Sequence, residues 1–182
     1  MRSPFPHAPN KGATNDWITP RWVLDALGPF DLDPCASEGQ PWPTAHRMIA
    51  PPDNGFTAEW EGRVWLNPPY GSEMYKWVER LVAHPYGGTA LVFARFETVG
   101  FSAIWDTATA ILIPKGRLTF HRPYTGEPGP GNAGGASVLI AYGASDAKRL
   151  ESAKIDGVFM TAWRRTHAHP RQRHMSVQGE VE

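Results

Sequence analysis

The sequence predicts an α/β domain wound around a mostly parallel sheet. Three observations lead there. Short apolar runs of strand length alternate with amphipathic stretches of helical period. Gly, Pro and Asn punctuate these elements, and no repeat is evident. The two segments richest in polar chemistry, around Asp33 and Asn67, directly follow strand-like runs. Parallel sheets bind their ligands at such places, at the carboxyl ends of their strands.

Residues 1–15 are polar and proline-rich and are expected to lie loosely on the surface. A helix should follow, with Thr19 as cap, Pro20 in its first position, Gly28 as its stop and Val23, Leu24 and Leu27 as its buried stripe. Phe30 to Asp33 alternates apolar and acidic residues as a short strand. From Pro34 to Gly62 the turn formers Pro41, Pro43, Pro51, Pro52, Asn54 and Gly55 predict mainly loop. Arg63 to Leu66 is the next strand and runs straight into Asn67-Pro68-Pro69-Tyr70-Gly71. Ser72 should cap a helix that carries Met74, Trp77, Val78 and Leu81 on one face. Further strands are predicted at 89–94, 109–113, 117–120, 137–142 and 157–161, with helices at 99–108 and 145–152 and a Gly/Pro-rich loop at 121–135. The domain is placed at 16–163, followed by a basic, flexible tail at 164–182.

Composition narrows the function. With 182 residues, 41% hydrophobic and 20% charged, the chain suits one compact domain with a real core. Eight tryptophans suggest pockets or edges built from indole rings. Lys and Arg total 18 against 18 Asp and Glu, which argues against a binder that relies on bulk positive charge. A local surplus exists in Arg164 to His174, RRTHAHPRQRH, which reads either as a solvated tail or as a phosphate contact. Cys35 is the sole cysteine, which rules out an intrachain disulfide and a Cys-rich zinc site. His167, His169 and His174 lack acidic or thiolate companions, so no metal is expected. No signal-peptide core or membrane-spanning apolar run is present, and a soluble, cytoplasmic protein is expected.

Asn67-Pro68-Pro69-Tyr70 carries the most specific chemistry. The exocyclic amine of a nucleic-acid base is a poor nucleophile because its lone pair is delocalised into the ring. Two acceptors gripping its two N–H groups favour a tetrahedral nitrogen. The Asn67 side-chain oxygen and the Pro68 carbonyl supply that pair. The two prolines stiffen the backbone that aims the carbonyl and remove N–H donors. Tyr70 offers a ring on which an extruded base can stack. A proline-rich turn after a strand, with Tyr70 as packing, is the alternative reading.

The tetrad resembles the catalytic motif of amino-methyltransferases, and the wider pattern resembles the phage-type DNA N-6-adenine methyltransferase family. Matching pieces are Asp16-Trp17-Ile18-Thr19-Pro20, Phe30 to Ala36, Val64 to Gly71, Gly116-Arg117-Leu118-Thr119-Phe120 and the strand from Ala136 to Tyr142. The resemblance implies a reduced Rossmann-like methyltransferase fold, S-adenosylmethionine as cofactor, and transfer to N6 of an adenine flipped out of DNA. It implies catalytic roles for Asn67, Pro68, Pro69 and Tyr70. It also implies a cofactor site built from Thr19, Pro20, Asp31, Asp33, Pro34, Cys35 and Ala36, with Asp53 as candidate ribose ligand. The chain departs from the usual pattern in having only Gly39 where a glycine-rich loop is normal, and in a short span between Asp33 and Asn67. Arg95, Arg117, Arg164 and Arg165 are candidates for DNA contact. The residues alone leave open the same chemistry on cytosine N4, RNA or a protein glutamine, and a non-catalytic nucleic-acid-binding module.

Overall fold

The structure, a computed structural model, describes residues 17–71, 73–131 and 134–163. Ser72, the expected surface segment at the start, and the basic tail with Arg164, Arg165, His167, His169 and His174 lie outside the described residues. The helices are α1 (Arg21–Leu27), α2 (Met74–Val82), α3 (Val99–Thr107) and α4 (Ala144–Ser152). The strands are β1 (Leu32–Asp33), β2 (Arg47–Met48), β3 (Val64–Leu66), β4 (Gly88–Phe93), β5 (Ala110–Pro114), β6 (Ser137–Tyr142) and β7 (Gly157–Met160). They form one sheet in the order β2-β1-β3-β4-β6-β5-β7.

β2, β1, β3 and β4 pair in parallel. β6 runs antiparallel to both β4 and β5, and β7 antiparallel to β5. β1 to β5 therefore share one direction, and β6 and β7 reverse it. This is a small Rossmann-like α/β fold, with the parallel half under the candidate motifs.

Side-chain alternation divides the core into two layers. Val64, Leu66, Ala90, Val92, Val138 and Ile140 face α2 and α3, where Met74, Val78, Leu81, Phe101 and Ile104 cover them. Trp65, Leu91, Leu139 and Ala141 point the other way, under Val23, Leu24 and Leu27 of α1 and Leu150 of α4. Both faces are thus buried, as a βαβ architecture requires. Among the described residues no helix is long and apolar enough to cross a membrane.

An ionic pin holds the amino edge of this sheet. Just before β3, Arg63 meets Asp146 of α4 through Nε at 2.8 Å and Nη2 at 2.7 Å. Its Nη1 donates to the carbonyls of Leu27 and Pro29, and its guanidinium lies 4.0 Å from the Phe30 ring centroid. Thr89 of β4 donates to the same Asp146 oxygen at 2.9 Å.

Several local expectations need correction. Thr19 does not cap α1; Pro20 occupies the N-cap, and no side chain caps the helix. Gly28 does end α1 as expected, in extended backbone, its N–H closing on the Leu24 carbonyl at 2.7 Å. β2 lies inside the stretch expected to be mainly loop. Thr98, not singled out in the sequence, caps α3 by accepting from the Phe101 N–H. Residues 117–120 form no strand. Leu118 and Phe120 are buried as alternation predicts, but pairing is confined to bridges from His121 to Ile18 and Pro128.

Candidate active site

The site is built where β1 and β3 end. β1 delivers Asp33 into the interior, 2% exposed. One carboxylate oxygen accepts from the Cys35 N–H at 2.9 Å, and the other from the Thr44 hydroxyl at 2.5 Å. Burial dominates these hydrogen bonds and raises the carboxyl from its ordinary 3.8 to about 6. Burial, and next the Asp33 charge, push the Cys35 thiol well above its usual range. Cys35 therefore stays protonated and offers no thiolate for covalent attack on a base ring.

β3 delivers Asn67 on the other side. Its Nδ2 donates to the Trp17 carbonyl at 2.9 Å, and its Oδ1 accepts from the Tyr70 hydroxyl at 3.3 Å. The Tyr70 ring lies on Phe93, centroids 4.1 Å apart and planes inclined by 21°. Burial pushes the Tyr70 phenol far up, so the hydroxyl keeps its proton and acts as a donor here.

A cleft with about 540 Å³ of empty space, open to solvent, joins the two sides. Of the residues picked from the sequence, Thr19, Asp33, Cys35, Asn67, Pro68, Pro69 and Tyr70 line it. Pro20, Pro34 and Ala36 are buried beside it without lining it; the Ala36 N–H is spent on the Ile49 carbonyl. Asp31 is elsewhere: its carboxylate accepts from the Arg63 N–H at 2.7 Å, at the opposite edge of β1. The left-handed Gly62 (φ +66°) leaves room for that carboxylate, since a Cβ there would run into it. Asp53 stands exposed in a turn after β2, outside the cleft lining. Arg95 and Arg117 are exposed and also outside it.

The structure adds Trp17, Ile18, Ser37, Gln40, Thr44 and Trp65 to the lining. Trp17 sits in the motif-like Asp16–Pro20 segment, which was the signal available for it. Ser37, Gln40 and Thr44 fall among turn formers, where nothing marks them out. Two lining atoms, Thr19 Oγ1 and Gln40 Nε2, are buried yet have no hydrogen-bond partner among the described residues. A buried polar group left unpaired is costly. The cleft thus presents an unused hydroxyl, an unused amide donor and a buried carboxylate beside apolar Ile18 and Trp65. That donor set fits a ligand with a cationic end and a heteroaromatic part.

Residues 8–155, which include the whole cleft lining, match the family model for DNA N-6-adenine-methyltransferase (Dam). The chain belongs to this family. A curated relative of this Dam-family chain is the DNA N-6-adenine-methyltransferase of Haemophilus phage HP1 (strain HP1c1). It is 31% identical over 121 residues, which cover 61% of the chain and 69% of the relative. No solved structure matches this Dam-family chain.

Proposed function

We propose that the protein transfers a methyl group from S-adenosylmethionine to N6 of an adenine flipped out of duplex DNA. One observation carries the reading: in a Dam-family chain, the Asn67–Tyr70 tetrad and the buried Asp33 floor face a single cleft at the carboxyl ends of β3 and β1. When bound, S-adenosylmethionine supplies a methyl group already activated on a sulfonium, so rate depends on alignment more than on a strong base.

The chain's residues then divide the work. Thr19 Oγ1, Gln40 Nε2 and the Asp33 carboxylate hold the cofactor, the first two gaining partners they lack among the described residues. Asn67 Oδ1 and the Pro68 carbonyl accept the two amine hydrogens and localise the nitrogen lone pair. Tyr70, backed by Phe93, supplies the ring against which the flipped base stacks. Arg95 and the tail residues Arg164 and Arg165 serve as phosphate contacts.

Methyl transfer from labelled S-adenosylmethionine to unmethylated DNA, read by mass spectrometry of the digested nucleosides, tests the whole reading. N6-methyladenine is expected. N4-methylcytosine would keep the mechanism and overturn the base, and no methylated nucleoside despite bound cofactor would move the acceptor to RNA or protein.

Asp33 adds a pH signature. A cationic ligand needs its carboxylate ionised, so affinity for the methyl donor should be flat above about pH 7 and weaken as pH falls through about 6, by about tenfold per unit. Stability runs the other way. Because the folded-state pKa is raised, the Asp33 contribution is complete below 3.8 and is lost as pH rises through about 6. Calorimetric titration across pH 5–8 checks this; pH-independent affinity would remove Asp33 from the cofactor site.

A further inference from the structure

A second groove opens on the same edge of the sheet as the active-site cleft. It has about 730 Å³ of empty space and is lined by Trp22, Lys115, Arg117, His121 and Asp156, among others. Its position follows from strand direction. β5 runs the same way as β3, so the Pro114–Arg117 turn leaves the sheet at the carboxyl edge. β7 runs oppositely, which brings Asp156, just before it, to that edge as well. From Arg117 the chain reaches His121, whose N–H and carbonyl both bond the backbone of Ile18, a cleft residue. Trp17, also of the cleft, lies edge-on to Phe120 at 6.3 Å. One continuous segment therefore joins groove and cleft.

The chemistry of the groove is not that of a packed core. Trp22 is 50% exposed, an indole face left in water at the start of α1. Arg117 is exposed, and its guanidinium makes no ion pair or hydrogen bond among the described residues. Lys115 lies 3.3 Å from Asp156, so that pair is close to neutral and Arg117 remains as the uncompensated cation. Gly116, with φ +80° and nothing within 4 Å of a Cβ built there, turns the chain sharply between the two basic residues. A flat aromatic surface lining the same groove as an unneutralised guanidinium matches a nucleotide: the base stacks and the phosphate pairs.

We propose that the Trp22–Arg117 groove binds a nucleotide flanking the target adenine on the DNA substrate. This rests on the proposed function, and it makes the chain's DNA contact extend from the cleft towards β5 and β7. The groove holds the strand while the cleft holds the extruded base.

The test is binding of a fluorescent unmethylated duplex across a salt series, with methyl-donor affinity measured in parallel. Arg117→Ala should weaken DNA binding and lower the slope of log affinity against log salt by about one, the signature of a lost phosphate contact. Trp22→Ala should weaken binding on the order of tenfold with little change in slope. Both should bind the methyl donor as the wild type does, which shows that the variants are folded. Lys148→Ala is the control, because α4 begins at the amino edge, where its Asp146 bonds Arg63; it should leave the slope unchanged. If wild type methylates DNA and both groove variants bind the duplex with unaltered affinity and slope, the groove proposal is wrong and the catalytic reading stands. If wild type neither binds nor methylates DNA, the catalytic reading fails first.

Discussion

Asn67→Ala should lower kcat by about a hundred- to a thousandfold, the range for removing one preorganised hydrogen-bonding group at a reacting centre. Methyl-donor affinity should hardly move. The substitution deletes one of the two acceptors proposed for the amine and leaves the Pro68 carbonyl in place. It also removes the Nδ2 bond to the Trp17 carbonyl, so a second variant is needed to separate catalysis from anchoring. Asn67→Asp keeps an acceptor at the Oδ1 position but replaces the donor to Trp17 with a charged oxygen that faces the Trp17 carbonyl. It should retain clearly more activity than the alanine variant. Tyr70→Phe keeps the ring on Phe93 and loses the hydroxyl bonded to Asn67, and should stay within a few fold of wild type. Single-turnover rates with saturating cofactor decide the matter; wild-type rates in Asn67→Ala would end the role assigned to Asn67.

Asp146→Ala should cost about 3–5 kcal/mol of folding stability, because it strands a charge inside the protein. Arg63 and Asp146 side chains are 11% and 1% exposed. Arg63 would keep the Leu27 and Pro29 carbonyls and the Phe30 ring, which places the expected loss toward the lower end of that range. The Thr89 hydroxyl would lose its acceptor as well. Asp146→Asn should recover part of the loss by still accepting from Thr89. Urea denaturation measures the effect, and a loss below about 1 kcal/mol would mean that solvent reaches the pair far more freely than its burial implies. The candidate cleft lies at the other edge of the sheet. Folded Asp146→Ala protein should therefore bind the methyl donor normally.

The place of the Asn67–Tyr70 tetrad at a strand end was readable because each of its residues has a restricted physical use. Two prolines after a buried apolar run admit few backbones, and the strand before them fixes which edge they reach. Thr19 was misjudged as a helix cap, although the resemblance also assigned it to the cofactor site. A hydroxyl ahead of Pro20 satisfies the rules for a cap, and the same small polar residue suits a ligand site; the packed chain shows it 2% exposed at the cleft and unpaired among the described residues. Asp31 and Asp33 alternate on one short strand and looked equivalent. Yet one ends at the cleft and the other is engaged by the Arg63 N–H at the far edge. β2 was hidden because its two residues, Arg47 and Met48, are both exposed and leave no hydrophobic period to detect. The reversal at β6 left no trace in the sequence, since apolar alternation records burial and says nothing of strand direction.

The bond between the Tyr70 hydroxyl and Asn67 Oδ1 bears on which bases the site admits. On the proposed mechanism an entering base must displace that hydroxyl or share the oxygen with it. An amino group repays the exchange, since its N–H groups meet Oδ1 and the Pro68 carbonyl as donor to acceptor. A keto group in the same position, as on thymine or on the six-position of guanine, would set oxygen against oxygen while breaking a bond already made. Keto bases are then refused by a penalty set by the tetrad's own acceptors, before any contact around the ring is considered. Adenine and cytosine both present an amine and pass this filter, so the distinction between them must be made elsewhere in the pocket.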